Sequence, residues 1–248
     1  MRKPRAKDGG GERKARDFTV RGRNKATPPA KPQSFPLASA AYTLSVHDPR
    51  ELPPPGAAEI AFVGRSNAGK SSAINVLANR TRLAFASRTP GRTQQIVLFA
   101  LPSGSLVADL PGYGYAAVPK AIKRAWQDVL ADYIATRPTL VGLVLVVDAR
   151  HGLKPLDLTL LDGFLPSGRE VLVLATKSDK LSRSEAARAA QSIRRELGER
   201  YPGLEANVTV VPFSATARMG LPEADAILAR WLGVPGAKEK KRPRDQGE

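Results

Sequence analysis

The chain has 248 residues, of which 42% are hydrophobic, and this is enough for one large domain with tails. It has no cysteine, which excludes a disulfide framework and a zinc–thiolate site. No apolar run approaches the ~18 residues of a membrane-spanning helix, and no apolar segment follows the N-terminal charges to direct secretion. We therefore expect a cytoplasmic protein without a membrane span.

The net charge of +16 is concentrated at the ends of the chain. The first 38 residues contain eleven basic and three acidic residues and almost no large apolar side chain. Such a segment cannot bury enough surface to offset the entropy of ordering, so we predict that residues 1–38 and the basic tail 236–248 are disordered. The tails either keep the protein in solution or act as electrostatic arms for phosphate-rich partners, RNA first.

Between these tails, residues 39–235 alternate short apolar runs with segments of helical periodicity. The runs predict strands at residues 60–63, 96–100, 106–108, 141–147, 171–175 and 208–213, the second and third forming a hairpin. Helices are predicted at residues 73–77, from 122 to 134, after a capping box of Ser182 and Glu185, and at 221–232. This alternation predicts a doubly wound, mostly parallel α/β sheet with helices on both faces and its ligand at the carboxyl ends of the strands.

The first predicted strand leads into G-R-S-N-A-G-K-S, which satisfies the P-loop pattern G-x-x-x-x-G-K-[ST]. Backbone N–H groups of such a loop cradle phosphate oxygens, Lys70 reaches the β- and γ-phosphates, and Ser71 ligates Mg²⁺. The residues of this motif are Gly64, Arg65, Ser66, Asn67, Ala68, Gly69, Lys70 and Ser71. An ordinary glycine-rich turn is disfavoured, because the motif lies between an apolar strand and a helical run.

A second motif, D-L-P-G, follows the third predicted strand and consists of Asp109, Leu110, Pro111 and Gly112. An aspartate at this position holds Mg²⁺, usually through water, and the Gly112 N–H faces the γ-phosphate. The motif is a weak signal alone, but its place after an apolar strand and downstream of a P-loop makes it strong.

The choice between ATP and GTP depends on T-K-S-D, formed by Thr176, Lys177, Ser178 and Asp179 after the strand at 171–175. The Asp179 carboxylate can accept hydrogen bonds from guanine N1–H and the 2-amino group, neither of which adenine offers. Lys177 can lay its aliphatic stem along the base. Backbone N–H groups of the segment Phe213, Ser214 and Ala215 can reach guanine O6. The four motifs in this order predict a GTP-binding protein.

The combination of G-R-S-N-A-G-K-S, T-P-G-R-T-Q, D-L-P-G-Y-G-Y-A and T-K-S-D resembles the EngB family of bacterial GTPases, in the translation-factor-related class, over roughly residues 39–235. The resemblance implies that residues 89–95 form switch I and residues 110–119 form switch II. It places Gly91, Arg92, Thr93 and Gln94 at the nucleotide, with Thr93 as the second hydroxyl ligand of Mg²⁺. It also implies a role in large-ribosomal-subunit assembly and in normal cell division and septation.

Two residues, Thr176 and Tyr113, depart from the general GTPase pattern, and Asn67 resembles an asparagine that some related GTPases use. Thr176 replaces the usual asparagine, although threonine is usual in the EngB family, and the missing amide weakens the case for tight nucleotide binding. Tyr113 replaces the glutamine that orients water in Ras-like enzymes, so we expect slow intrinsic hydrolysis. Asn67 either holds K⁺ in place of an arginine finger, as in some related GTPases, or is simply a turn-favouring residue.

We interpret the chain as a monomeric, Mg²⁺-dependent GTPase switch that binds GTP and GDP, with Lys70, Thr93 and Asn67 as its catalytic residues. Its expected partner is ribosomal RNA or an assembling large subunit. The alternatives are a protein that acts directly at the septum and a P-loop kinase of small molecules, against which T-K-S-D argues. Tyr113 and Tyr115 could also stack on RNA bases. The run Asp148-Ala149-Arg150-His151 resembles the EngB family too, without an assignable role.

Overall fold

The computed structural model describes residues 35–85, 95–114 and 120–234. Most of the two predicted tails, the core of switch I and the second half of switch II lie outside these residues. The strands are β1 (Ala41–Val46), β2 (Glu59–Gly64), β3 (Ile96–Ala100), β4 (Leu106–Asp109), β5 (Leu140–Asp148), β6 (Glu170–Thr176) and β7 (Val208–Pro212). The α-helices are α1 (Lys70–Leu77), α2 (Lys120–Thr136), α3 (Pro155–Phe164), α4 (Arg183–Arg200) and α5 (Leu221–Trp231).

The seven strands form one sheet in the order β1-β3-β4-β2-β5-β6-β7. Strands β4, β2, β5, β6 and β7 run parallel, whereas β3 is antiparallel to both β4 and β1. The predicted hairpin is therefore present as β3 and β4. Because five strands are parallel, their carboxyl ends meet at one edge of the sheet, where ligands of such folds bind.

Helices cover both faces of the sheet and produce two apolar cores. Adjacent residues of β2 point to opposite faces, so that Val63 belongs to the core under α2, α3 and α4, and Phe62 to the core under α1 and α5. Strands buried on both faces read as continuous apolar runs, which is why the sequence located them. The predicted doubly wound α/β fold is confirmed.

Two elements were not predicted from the sequence. Strand β1 mixes polar and apolar residues because it is the exposed edge of the sheet, and its Tyr42 is largely exposed. Helix α3 has leucines at the alternating positions 156, 158 and 160, which is a strand-like period, although Pro155 at its first turn and the capping carboxylate of Asp157 start a helix.

The start of the folded region also needs correction. Leu37 is completely buried in the core beneath α1 and α5, together with Ala40. Ordered packing therefore begins before residue 39, where we expected the domain to start, because a single large apolar side chain docks there. Within the part of the chain that the structure describes, no helix is long and apolar enough to cross a membrane.

Candidate nucleotide-binding site

The P-loop leaves the sheet at a point where only glycine fits. A Cβ on Gly64 would lie 2.6 Å from the carbonyl oxygen of Val146. Asn67 and Gly69 then adopt left-handed backbone conformations, with φ of 65° and 101°, which Asn and Gly tolerate best. Gly69 is the N-cap of α1, and no side chain caps this helix. The N–H groups of the first turn therefore remain for phosphate oxygens.

Two charged side chains of separate motifs meet at the carboxyl ends of the parallel strands. Lys70 at the start of α1 donates from Nζ to a carboxylate oxygen of Asp109 at the end of β4. Both side chains are almost buried, at 12% and 10% exposure. Lys70, which is predicted to bind the phosphates, and Asp109, which is predicted to bind the metal, are thus in direct contact.

The D-L-P-G motif lies directly against the P-loop. The Leu110 N–H donates to the carbonyl oxygen of Phe62 over 3.0 Å, which continues the pairing of β4 with β2. A Cβ on Gly112 would lie 3.3 Å from Ser66 Oγ, so that glycine permits a close approach of the two loops. The Gly112 backbone is therefore next to the loop that would hold the phosphates.

The donor atoms at this position suit Mg²⁺. Ser71 supplies a hydroxyl and Asp109 a carboxylate, and Mg²⁺ prefers hard oxygen ligands. Among the described residues, no group of three His, Asp or Glu side chains could enclose a metal unaided. A Mg²⁺ ion here would take its direct ligands from Ser71, phosphates and water, with Asp109 reaching it through water, and Thr93, the other predicted ligand, lies outside the described residues.

The predicted base-recognition carboxylate is oriented by its neighbours. Ser214 Oγ donates to Asp179 Oδ1 over 2.7 Å and accepts from the Ala217 N–H over 3.0 Å, while Lys180 Nζ lies 3.2 Å from Asp179 Oδ2. The hydrogen bond from Ser214 is the main cause that lowers the pKa of Asp179, so the group stays ionised and accepts hydrogen bonds. The Ser178 N–H donates to the carbonyl oxygen of Phe213. This hydrogen bond joins the two loops predicted to bind the base, residues 176–179 and 213–215, which we call the base loops.

Thr176 and Lys177 connect the base loop to the P-loop. Thr176 Oγ1 lies 2.5 Å from the carbonyl oxygen of Ala68 and 3.0 Å from that of Val147. Lys177 Nζ donates to the carbonyl oxygen of Asn67 over 2.7 Å. The hydroxyl at position 176 thus hydrogen-bonds to the P-loop without the amide that most GTPases carry. Asn67 adopts a left-handed backbone conformation, which asparagine tolerates and which is compatible with either predicted role.

A cavity of about 660 Å³ lies between these loops and α1, which suits a nucleoside in size. The residues around it come from the P-loop, α1 and both base loops, and include Gly69, Ser72, Thr176, Lys177, Asp179 and Ala215. The cavity thus brings together residues of three motifs, and the Lys70–Asp109 contact links the fourth, D-L-P-G, to the P-loop. Gly91, Arg92, Thr93 and Gln94 lie outside the described residues, and their roles stay predictions.

Asn75 in α1 is a further residue of the site that the sequence did not reveal. Its Oδ1 accepts from the N–H groups of Leu83 and Ala84 over 2.8 and 2.7 Å, and its Nδ2 donates to the carbonyl oxygen of Ala84 over 2.8 Å. Asn75 therefore fixes the segment that leads into switch I. Its position one turn after Ser71 was the only available signal, and an asparagine there has no motif of its own.

Tyr113 faces inward, which corrects the suggestion that it stacks on RNA bases. Its backbone pairs with the P-loop through Gly64 O and the Ser66 N–H, and its side chain is only 4% exposed. The hydroxyl donates to Asp157 Oδ1 over 2.6 Å, and burial raises the pKa of Tyr113 well above its ordinary value, which keeps this proton in place. The start of switch II is therefore attached to α3. Tyr115 lies outside the described residues.

Comparison with known proteins agrees with this geometry. A family model described as "50S ribosome-binding GTPase" matches residues 59–177. The probable GTP-binding protein EngB of Aromatoleum aromaticum is 52% identical over 197 residues, which cover 79% of this chain and 89% of the relative. The chain belongs to the EngB family of GTP-binding proteins. A second EngB, from Azoarcus sp., is 51% identical over 205 residues, 83% of this chain and 96% of its own.

Solved structures show the same fold. A crystal structure of a probable EngB has a TM-score of 0.56 and 21% identity, over 71% of this chain and 99% of the other. Era, solved with MgGDPNP and a segment of 16S ribosomal RNA, has a TM-score of 0.54 and 23% identity, over 77% of this chain and 61% of Era. As a member of the EngB family, the protein is a GTPase, and the predicted family is confirmed.

Proposed function

We propose that this EngB-family GTPase is a Mg²⁺-dependent switch that acts in assembly of the large ribosomal subunit and thereby supports normal cell division and septation. The proposal that the protein binds GTP rests on how the charged side chains are arranged at the carboxyl ends of the parallel strands. Lys70 and Asp109 lie at the phosphate end of this arrangement, and Asp179, oriented by Ser214, lies at its base end. A cavity of about 660 Å³ beside Gly69, Lys177 and Asp179 is large enough for a guanosine.

Each residue then has a defined task in binding. Lys70 moves from Asp109 to the β- and γ-phosphates, and Asp179 accepts hydrogen bonds from the guanine edge. Ser71 and Thr93 would hold Mg²⁺, with Asp109 reaching it through water, and the ion supplies charge neutralisation on the phosphate oxygens. Order in switch I and switch II then depends on the γ-phosphate, which distinguishes the GTP state from the GDP state.

The proposed ribosomal partner rests on charge and on the family. A net charge of +16 favours a polyanion, and the matching family model is described as ribosome-binding. We propose that the protein acts as a monomer in the cytoplasm, where ribosomes assemble, and that the basic tails add attraction to RNA. Potassium at Asn67 is a proposed additional requirement for hydrolysis.

Nucleotide-dependent sedimentation tests the biological part. The purified protein is spun with mature and immature large subunits in the presence of a non-hydrolysable GTP analogue or GDP, at low and high salt. We expect more protein in the particle fraction with the GTP analogue, less at high salt, and none of this dependence for Lys70→Ala. Equal sedimentation with both nucleotides would contradict the switch, and failure to bind either particle under any condition would favour direct action at the septum.

A further inference from the structure

The run Asp148-Ala149-Arg150-His151 contains a carboxylate that contacts the base loop. Asp148 ends β5 and is paired in register with Thr176 of β6, and the Ala149 N–H donates to the carbonyl oxygen of Thr176 over 2.9 Å. The backbone therefore holds Asp148 beside the next residue, Lys177. Asp148 Oδ2 lies 3.0 Å from Lys177 Nζ.

Lys177 is held from two sides. Its ammonium donates to Asn67 O in the P-loop and forms the ion pair with Asp148, and its own backbone is left-handed with φ of 59°. The Lys177 side chain is only one-third exposed, so water could not fully compensate its ammonium for the loss of Asp148. The negative charge of Asp148 consequently helps to keep the Lys177 ammonium against the P-loop.

From this geometry we propose that Asp148 is a positioning residue of the nucleotide site, which fixes Lys177 so that its aliphatic stem lies flat along the guanine base. The inference rests on the proposed nucleotide site. It assigns a role to a carboxylate that does not itself contact the base or the phosphates, and it links β5 to nucleotide affinity through a single side chain.

Arg150 supports the same carboxylate. Its backbone N–H, Nε and Nη2 lie 3.1, 2.9 and 2.7 Å from oxygens of Asp148. Burial favours the neutral form of Asp148, but the hydrogen bonds from Arg150 and Lys177 outweigh it and hold the pKa of Asp148 well below its ordinary value. The carboxylate is therefore a permanent negative charge at neutral pH. A purely local role, in shaping the turn with Arg150, is the alternative to be tested.

Asp148→Asn keeps the size of the side chain and an acceptor for the Arg150 N–H, but it removes the charge that attracts Lys177. We expect GDP and GTP affinity to fall by the same factor, about tenfold, mainly through faster dissociation. The kcat at saturating GTP should remain within about twofold of wild type, because Lys177 contacts the nucleotide equally before and during reaction. Equilibrium binding and stopped-flow release of fluorescent GDP and GTP measure these values.

A double-mutant cycle separates positioning from a structural role. In the Lys177→Met background, Asp148→Asn should change GDP affinity by less than about twofold, because the group that it positions is gone. An equal loss in both backgrounds would overturn the inference and assign Asp148 to the turn with Arg150. Thermal unfolding of each variant identifies any loss of folded protein.

The matched control is Asp162→Asn in α3. Asp162 pairs with Arg200 through the same two-atom geometry, at 3.0 and 2.7 Å, but it contacts α4 and not the base loop. We expect nucleotide affinity equal to wild type for this control. Wild-type affinity for Asp148→Asn would overturn the inference alone, whereas a wild-type protein that binds neither GDP nor GTP would overturn the proposed function itself.

Discussion

The Ser214 hydroxyl orients the carboxylate that we propose recognises the base, so we expect it to affect the strength of base binding more than its specificity. Ser214→Ala removes the hydrogen bond to Asp179 but leaves the carboxylate in the site. We expect GDP affinity to fall by about three- to tenfold, with guanine still preferred over xanthine.

Asp179→Asn, in contrast, should favour xanthosine nucleotides, because an amide can donate to the 2-oxygen of xanthine. Competition binding with GDP and XDP measures both preferences, and unchanged guanine preference in Asp179→Asn would remove Asp179 from the base site.

Asp225 is a buried carboxylate whose cost to stability depends on pH. It lies on the inward face of α5 with 4% exposure, and neither oxygen has a hydrogen-bond partner among the described residues. Burial raises the pKa of Asp225 to about 7, against a smaller opposing attraction from Arg218. The folded protein therefore binds this proton more tightly than the unfolded chain does. Stability should fall as pH rises from about 4 to 7 and then level off.

Asp225→Asn tests this pH dependence. The variant should be more stable than wild type by ~2–4 kcal/mol at pH 8, and the gain should disappear as the pH falls below about 4, where Asp225 of wild type becomes protonated in both the folded and the unfolded state. Urea unfolding at several pH values measures the difference. Glu223→Gln, on the exposed side of the same helix, serves as the control and should not alter the profile. A gain that does not vary with pH would show that the carboxylate is not the cause.

At the scale of elements, a buried ionic cluster joins α2 to the start of β2. Arg137 Nη2 donates to Glu59 Oε2 over 2.6 Å and Nη1 to the carbonyl oxygen of Pro53 over 2.8 Å, and the Tyr133 hydroxyl donates to the other oxygen of Glu59. Glu59 is completely buried. Removing one partner leaves a buried charge without compensation, which is the costly way to break such a pair.

Arg137→Met should therefore lower the free energy of unfolding by ~3–5 kcal/mol, and adding Glu59→Gln to it should recover part of the loss. Chemical denaturation measures both. Arg195→Met is the comparison, because Arg195 and Glu199 form a largely exposed pair at 3.8 Å, and its loss should be within ~0.5 kcal/mol. A similar loss for both single variants would mean that the buried cluster has no special weight.

The elements that the sequence predicted are those whose residues carry their own signal. β5 and β6 are apolar along their length because both faces are covered, whereas β1 and α3 depend on neighbours that the local pattern does not show. The same division holds in the site. Lys70 and Asp179 belong to motifs, but the roles of Asn75, Asp148 and the Ser214 side chain follow from contacts with partners distant in sequence. The spacing of residues along the sequence does not predict those contacts.

At the scale of the whole molecule, the charge and the inward-facing Tyr113 predict an enzyme that depends on its partner. The Tyr113 side chain is buried against α3, so it does not take the place of a water-orienting glutamine. We expect turnover alone near or below ~10⁻³ s⁻¹, and stimulation of ~10³–10⁵-fold by immature large subunits, less at high salt. Steady-state GTP hydrolysis in sodium and potassium buffers, with and without particles, measures this. Fast GTP hydrolysis by the protein alone in sodium buffer would contradict the predicted dependence on a partner.

The contact between Lys70 and Asp109 has a consequence for how the nucleotide leaves. In the proposed site, this ammonium would have two rival anions, the carboxylate of Asp109 and the phosphates, so that departure of GDP would exchange one partner for the other and would not leave a nearly buried cation unpaired. We expect such a rival to lower nucleotide affinity and to speed the release of bound GDP. We expect the protein to reload with GTP by mass action, so that the ratio of GTP to GDP in the cell sets which state it occupies.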